Sequence, residues 1–345
     1  DKIVLILVRV SRRIRMNKAL TIKDIAEIAG VAKSTVSRYL NNGKVSEETK
    51  EKIRQVIEEY NYEPNAFAQS LKAKKTKFVG IIAPGLDSIV TSKVIMAIDM
   101  TLRENGYNPL IINTSLRKDL EIESIENLAR LKVDGIILVA TEIKEIHQEV
   151  IHQLNVPFVM IGQGSDGIIS IINDDYQAGF EIGSYVQEMG HENVIYLGVP
   201  EDDTAVGINR RNGVIDGLRN NNDSIHIRVL ESDFTSELAE RVIDEALMEN
   251  QPSVIICATD RIALGARRAI LRHNLSVPED ISLTGFGGYD LATLVTPPLT
   301  TIKFENEKTG QLAAETIIDL MAEKKVPDLQ IIGYQLIKSE SVKRK

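Results

Sequence analysis

From Phe78 onward the chain repeats one texture: short continuous apolar runs separated by amphipathic stretches of helical length. The runs are Phe78–Ala83, Leu110–Asn113, Gly135–Ala140, Phe158–Gly162, Ile168–Ile172, Val194–Val199, Ile227–Leu230, Val254–Ala258 and Ile281–Phe286. A strand that is apolar throughout, rather than at alternate positions, buries both faces, as a parallel strand does between two layers of helices. These runs are more than one sheet comfortably holds, so the pattern predicts two similar α/β lobes with parallel sheets. The lobes are expected to join near Asn173 and again near Thr300, and a last helix over Glu305–Met321 with a strand over Gln330–Ile337 is expected to return to the first lobe.

The chain before Phe78 reads differently. Thr21 is a good N-cap with Asp24 three residues on, before the apolar stripe Ile25, Ile28 and Ala29. Gly30 permits a tight turn. A second helix is predicted over Lys33–Leu40, with Val36 and Leu40 inward, and Asn41-Asn42-Gly43 breaks it. Ser46 caps a third helix with Glu47 and Glu48 in its first turn and Ile53, Val56, Ile57 and Tyr60 inward. Two short helices joined by a glycine turn, the second rich in small polar and basic residues, describe a helix-turn-helix. Its outward face offers Lys33, Ser34, Ser37 and Arg38, the donor and acceptor types that read base edges, with Thr21 and Thr35 suited to phosphates or a thymine methyl.

Charge divides the chain at the same place. The whole carries −8, yet residues 1–77 hold 17 Lys/Arg against 9 Asp/Glu, so a basic head precedes an acidic body. Such a head fits a polyanion partner. Five of those basic residues lie in Asp1–Arg15, which is expected to be an extension upstream of a start at Met16. Its apolar stretch Ile3–Val10 is interrupted by Arg9 and followed by Arg12, Arg13 and Arg15, the reverse of a secretory leader. No apolar run approaches a membrane span. The one cysteine, Cys257, cannot close an internal disulfide, which suits a reducing, cytoplasmic setting.

Residues Thr21–Ala26 (TIKDIA), Ala29–Asn41 (AGVAKSTVSRYLN), Asn61–Asn65 (NYEPN) and Ala68–Leu71 (AQSL) closely resemble the head of the LacI/GalR family of bacterial transcription regulators. The likeness continues through a periplasmic-binding-protein-like core to about Ile337. It implies a helix-turn-helix domain over 16–64, a hinge helix and linker over 65–77, and an effector-binding, dimerising core over 78–345. Lobe one is expected over about 78–173 and 303–340, and lobe two over about 174–300. On the same resemblance Asn41, Asn65 and Gln69 join the DNA-contacting set, and Leu71 is the wedge entering the minor groove, where an apolar side chain between base steps kinks the duplex. The implied partners are pseudo-palindromic double-stranded operator DNA, a sugar or sugar phosphate, and a second copy of the chain, with a tetramer open.

A two-lobed α/β core binds ligand in the crevice at the carboxyl ends of its strands. Asp87, Ser88, Asn113, Gln163, Asp174, Asp175, Asp260 and Phe286 all follow apolar runs. Carboxylates and amides there can hydrogen-bond sugar hydroxyls, and an aromatic can stack on a pyranose. Asp174 and Asp260 also precede helices and suit caps. The resemblance adds Arg210, in Asn209–Gly213, as a clamp, and sets Asp260 facing the sugar. At Gly285-Phe286-Gly287-Gly288 the chain departs from the family's Gly-Tyr/Phe-Asp-Asp, which would suit an anionic or bulkier sugar. The stretches Gly285–Asp290 and Ser70–Thr76 look most like regulators of sucrose operons. Tyr196–Pro200 and Leu86–Ser88 are similar to those of trehalose operons. A catabolite regulator with a phosphoprotein co-repressor, or a sugar-binding transport module, are the other readings.

Catalytic signals are weak. Gly162-Gln163-Gly164-Ser165-Asp166-Gly167 fits G-x-G-x-x-G but leads into a strand-like run instead of a helix. The five histidines are dispersed, and no nucleophile elbow or P-loop is present. No enzyme, cofactor or metal is expected.

Overall fold

The computed structural model describes residues 20–40, 43–60, 62, 75–220 and 224–345. The chain forms two compact units, Asp1–Thr76 and Lys77–Lys345.

In the first unit, helices span Ile22–Ile28, Lys33–Leu40 and Glu47–Glu59. A capping box starts the first: Thr21 N–H donates to Asp24 Oδ2 at 2.7 Å while Asp24 N–H donates to Thr21 Oγ1 at 3.4 Å. Replacing such a cap by alanine typically costs about 1 kcal/mol. Gly30 then turns with φ +65°, a conformation other residues adopt at a cost. Ile25, Val36 and Ile53 are buried where the three helices meet, with Val56 and Tyr62 closing the cluster. Tyr60, expected inward, is exposed: it is the C-cap of its helix, past the last turn that packs.

The second unit contains two six-stranded sheets. Lobe one has β1 (Phe78–Ala83), β2 (Asn108–Asn113), β3 (Gly135–Val139), β4 (Phe158–Ile161), β5 (Ser170–Asn173) and β11 (Leu329–Ile332), in the order β11-β5-β4-β3-β1-β2. All its pairings are parallel, and Ile81 on β1 aligns with both Ile111 and Ile137. Lobe two has β6 (Asn193–Gly198), β7 (His226–Glu231), β8 (Val254–Cys257), β9 (Ser282–Phe286), β10 (Thr300–Phe304) and β12 (Tyr334–Ile337), in the order β12-β10-β9-β8-β6-β7. β12 runs antiparallel to β10, and the other pairings are parallel.

Central strands such as β4 and β8 are buried along their whole length, as continuous apolar runs require. The edge strands β2 and β7 have no fully buried residue. The expectation of one strand over Gln330–Ile337 in lobe one is corrected. Gly333 divides that run, so β11 completes the first sheet and β12 joins the second. The tail follows β12: Ser341 and Lys343 bond to β9 residues Leu283 and Ser282, so the end of the chain belongs to lobe two.

The chain therefore passes between the lobes three times, after Asn173, after Phe304 and at Gly333. These passages lie side by side: Asp174 N–H donates to Ile332 O at 3.2 Å, and Phe304 pairs with Tyr334. In lobe two, helices Asp175–Glu188 and Arg211–Arg219 pack backbone to backbone. A Cβ on Gly213 would lie 2.0 Å from Tyr176 O, and one on Gly179 2.3 Å from Arg210 O. Glycines on both partners allow that approach.

Candidate functional site: a polar helix face and an interlobe crevice

On the Lys33–Leu40 helix, Lys33, Ser34 and Arg38 are exposed, while Thr35 and Ser37 are half-buried. Ser34, Ser37 and Arg38 stand three and four residues apart and so share one face, opposite buried Val36. Arg38 is held by the turn that follows, where Gly43 N–H donates to Arg38 O at 2.8 Å and the absent Gly43 side chain leaves room for the arginine stem. Thr21 is exposed, but its hydroxyl is engaged with Asp24 in the cap. Asn41, Asn65, Gln69 and Leu71, and the expected hinge helix, lie outside the described residues.

The residues expected at the crevice gather about a buried polar cluster in lobe two. Arg210 ends a π-helical turn over Thr204–Arg210, and Asp175 opens the helix whose glycines admit the Arg211–Arg219 helix. That close packing brings the two side chains together. Arg210 Nε and Nη2 donate to Asp175 Oδ1 at 3.0 and 2.5 Å, and Nη1 donates to Ala258 O at 2.5 Å. The guanidinium also stacks over Phe286, 4.7 Å to the ring centroid, and Phe304, at 5.2 Å. Both charges are buried. Burial desolvates the guanidinium, yet Asp175 more than offsets that and holds it protonated. Burial pushes the Asp175 carboxyl up, opposed by Arg210.

Asp260 follows β8 behind the N-cap Thr259 and is wholly buried. Its carboxylate accepts from Thr301 Oγ1 at 2.5 Å and from Tyr289 N–H at 2.9 Å, so it anchors the loop 287–290 from beneath. Burial raises its pKa to about 6 despite those bonds. Asp203 caps the π-helical turn by accepting from Val206 N–H at 3.0 Å, and burial raises it as well. From lobe one, Gln163 reaches across: its Nε2 donates to Thr141 O at 2.8 Å and to Asp203 Oδ1 at 3.5 Å. Also from lobe one, Asp87 lies 3.7 Å from Arg261 of lobe two.

The other expected residues have local duties. Ser88 caps the Ile89–Glu104 helix through Thr91 N–H at 3.3 Å, and Asp174 caps its helix through Gln177 N–H at 3.2 Å. Asn113 is exposed and bonds to Ser115. Phe286 is buried beneath Arg210, so it supports the guanidinium instead of offering a ring to solvent. Asp203 and Tyr289 were not singled out from the sequence, and Asp175 was named there only together with Asp174. Asp175 adjoins Asp174 and shares its position after a strand, and nothing in composition says which of two adjacent carboxylates turns inward. Tyr289 could have been found from its glycines, since a Cβ on Gly287 would lie 2.4 Å from the tyrosine ring.

Chemically, the cluster is a set of carboxylates around one fixed guanidinium. Among the described residues, no group of three His, Cys, Asp or Glu could hold a metal ion.

Residues 21–65 match the family described as bacterial regulatory proteins, lacI family, and residues 184–342 match the periplasmic binding protein-like domain. The chain is 37% identical over 314 residues to the sucrose operon repressor of Staphylococcus xylosus, covering 91% of this chain and 98% of that protein. It is 31% identical over 313 residues to the HTH-type transcriptional repressor PurR of Pectobacterium carotovorum, covering 88% and 91%. In three dimensions it is similar to the lac repressor dimer bound to operator and the anti-inducer ONPF, with a TM-score of 0.85, 27% identity, and 94% and 100% of the two chains covered.

Proposed function

The chain belongs to the lacI family of bacterial regulatory proteins, and from that premise we propose that it is a homodimeric, sugar-responsive transcriptional repressor of a sugar-utilisation operon. The observation that carries the reading is the polar face of Ser34, Ser37 and Arg38, exposed at Ser34 and Arg38 and set outward by burial of Val36 on the opposite side. Two such faces related by a two-fold axis fit two half-sites of a pseudo-palindrome. Thr21, Lys33 and Thr35 then approach phosphates, and Asn41, Asn65, Gln69 and Leu71 are assigned to the DNA by the family likeness.

The effector is a disaccharide of sucrose type, taken between the lobes against Gln163, Arg210 and the loop over Asp260. A sugar that fits one lobe arrangement better than the other changes operator affinity, and DNA changes sugar affinity by the same factor. The relatives named above are regulators, and the reading assigns this chain no catalysis. Among the described residues no helix is long and apolar enough to cross a membrane.

The test is fluorescence anisotropy on DNA from upstream of the gene, at fixed salt, with and without sucrose and trehalose. Specific binding that one sugar shifts supports the proposal. Equal binding to operator and random DNA refutes it.

A further inference from the structure

Two ion pairs and a side-chain hydrogen bond join lobe one to lobe two. Lys118, which opens the helix after β2, meets Asp202, after β6, at 3.8 Å. Asp87, after β1, meets Arg261, in the helix after β8, at 3.7 Å. Gln163, after β4, donates to Asp203 Oδ1 at 3.5 Å.

The two ion pairs stand far from the places where the chain passes between the lobes. Those passages lie at β5 and β11 of one sheet and at β10 and β12 of the other. In the order β11-β5-β4-β3-β1-β2, the strands that carry Asp87 and Lys118 are the two most distant from β11. At about 4.8 Å per strand they lie about 19 and 24 Å away. A change of about 10° in the angle between the sheets moves points at that distance by about 3–4 Å, which parts both pairs.

The polarities are opposed. Lobe one supplies the cation at Lys118 and the anion at Asp87, and lobe two supplies the reverse. A slipped closure would bring like charges together, so the two pairs admit one register. Parting them is also cheap. Lys118 holds Glu142 of its own lobe as well, so it keeps a carboxylate when Asp202 leaves. The Asp87 and Asp202 side chains are 83% and 82% exposed, so water receives them readily.

We propose that the two pairs form a latch that holds the lobes at a closed angle with nothing bound between them, the passages on the far side serving as its hinge. Such exposed charges are screened by salt, so the latch weakens as ionic strength rises. It acts before any sugar enters and sets the angle that a sugar has to change.

The test uses the full-length chain carrying Lys118→Cys and Asp202→Cys, one thiol on each lobe where those side chains meet. That leaves the Asp87 and Arg261 pair as the one under study. Cys257 is wholly buried and stays out of reach. A short bis-maleimide links the two thiols within one chain while the lobes are closed, and a denaturing gel separates that product from links between chains. Rates are divided by those of a monofunctional maleimide on the same variants, which removes differences in thiol reactivity. Asp87→Arg or Arg261→Asp alone is expected to slow the within-chain link about fivefold, and the two together to restore it, since the swap re-forms the pair. Asp87→Asn with Arg261→Gln should slow it about two- to fivefold and abolish its dependence on salt. Both positions are exposed, so these variants keep the cores intact. A rate indifferent to the single reversals, or a double reversal as slow as the worse single one, overturns the latch.

Discussion

Removing the Arg210 side chain leaves the Asp175 carboxylate buried without its counter-ion. Arg210 and Asp175 are each about 5% exposed, so water cannot replace the lost partner. Breaking a buried pair from one side typically costs about 3–5 kcal/mol. Arg210→Ala also gives up the bond to Ala258 O and the stacking on Phe286 and Phe304. For a domain of this size each kcal/mol moves Tm by about 2–4 °C, so the core should melt about 6–20 °C lower. The decisive comparison is Arg210→Met with Asp175→Leu, singly and together, followed by thermal melting of the full-length protein. Because the penalty comes from one stranded charge, the double variant should recover most of the loss, as replacement of whole buried pairs does. A double variant as unstable as the worse single one would refute this account.

Gly213→Ala places a methyl against Tyr176 O and forces the two glycine-lined helices apart; overpacking of this kind costs about 1–3 kcal/mol, and the displaced pair should blunt the sugar response, read by melting and anisotropy. Asp260, with a folded pKa of about 6, binds its proton more tightly folded than unfolded. Its contribution therefore favours the fold below about pH 4 and is lost as pH rises to about 6. The stability of Asp260→Asn relative to wild type should fall on going from pH 7 to pH 4, and an unchanged difference would contradict the assignment. His191 behaves oppositely, since burial lowers its pKa to about 4; stability is lost as pH falls from about 6.5, and His191→Phe should lessen that loss in urea titrations. Arg38→Ala should weaken specific operator binding by about tenfold or more, one base contact's worth, while sugar binding by calorimetry stays unchanged.

Much of the architecture was legible because burial on both faces writes itself into composition. Runs such as Phe78–Ala83 and Val254–Ala258 could hardly be anything but covered strands. Gln330–Ile337 was not legible: two strands in two sheets, separated by Gly333, spell one apolar stretch, and tertiary partners alone divide it. The crevice was half legible. Strand ends pointed to Gln163 and Asp260 and the resemblance to Arg210; Gln163 bonds across to Asp203, while Arg210 and Asp260 are buried in lobe two. Orientation was not encoded. Asp174 caps and Asp175 turns inward one residue later, while Phe286 lies under a guanidinium instead of against solvent. In the head, the polar face of Ser34 and Arg38 followed from buried Val36 alone, because helical spacing fixes what stands opposite.

The three adjacent passages between the lobes limit what a bound molecule can change. A lobe tethered by one strand could tilt, twist and slide. Three neighbouring straps, stitched by the Asp174–Ile332 hydrogen bond and the Phe304–Tyr334 pairing, suppress twist and slide and leave essentially one degree of freedom, the angle between the sheets. Every effector, whatever its shape, is thereby translated into a single scalar. On the proposed function, two sugars that settle the lobes at the same angle would have the same effect, and one that binds tightly at the resting angle would have none. Affinity and efficacy are separate quantities in such a molecule, with the angle alone carrying the message.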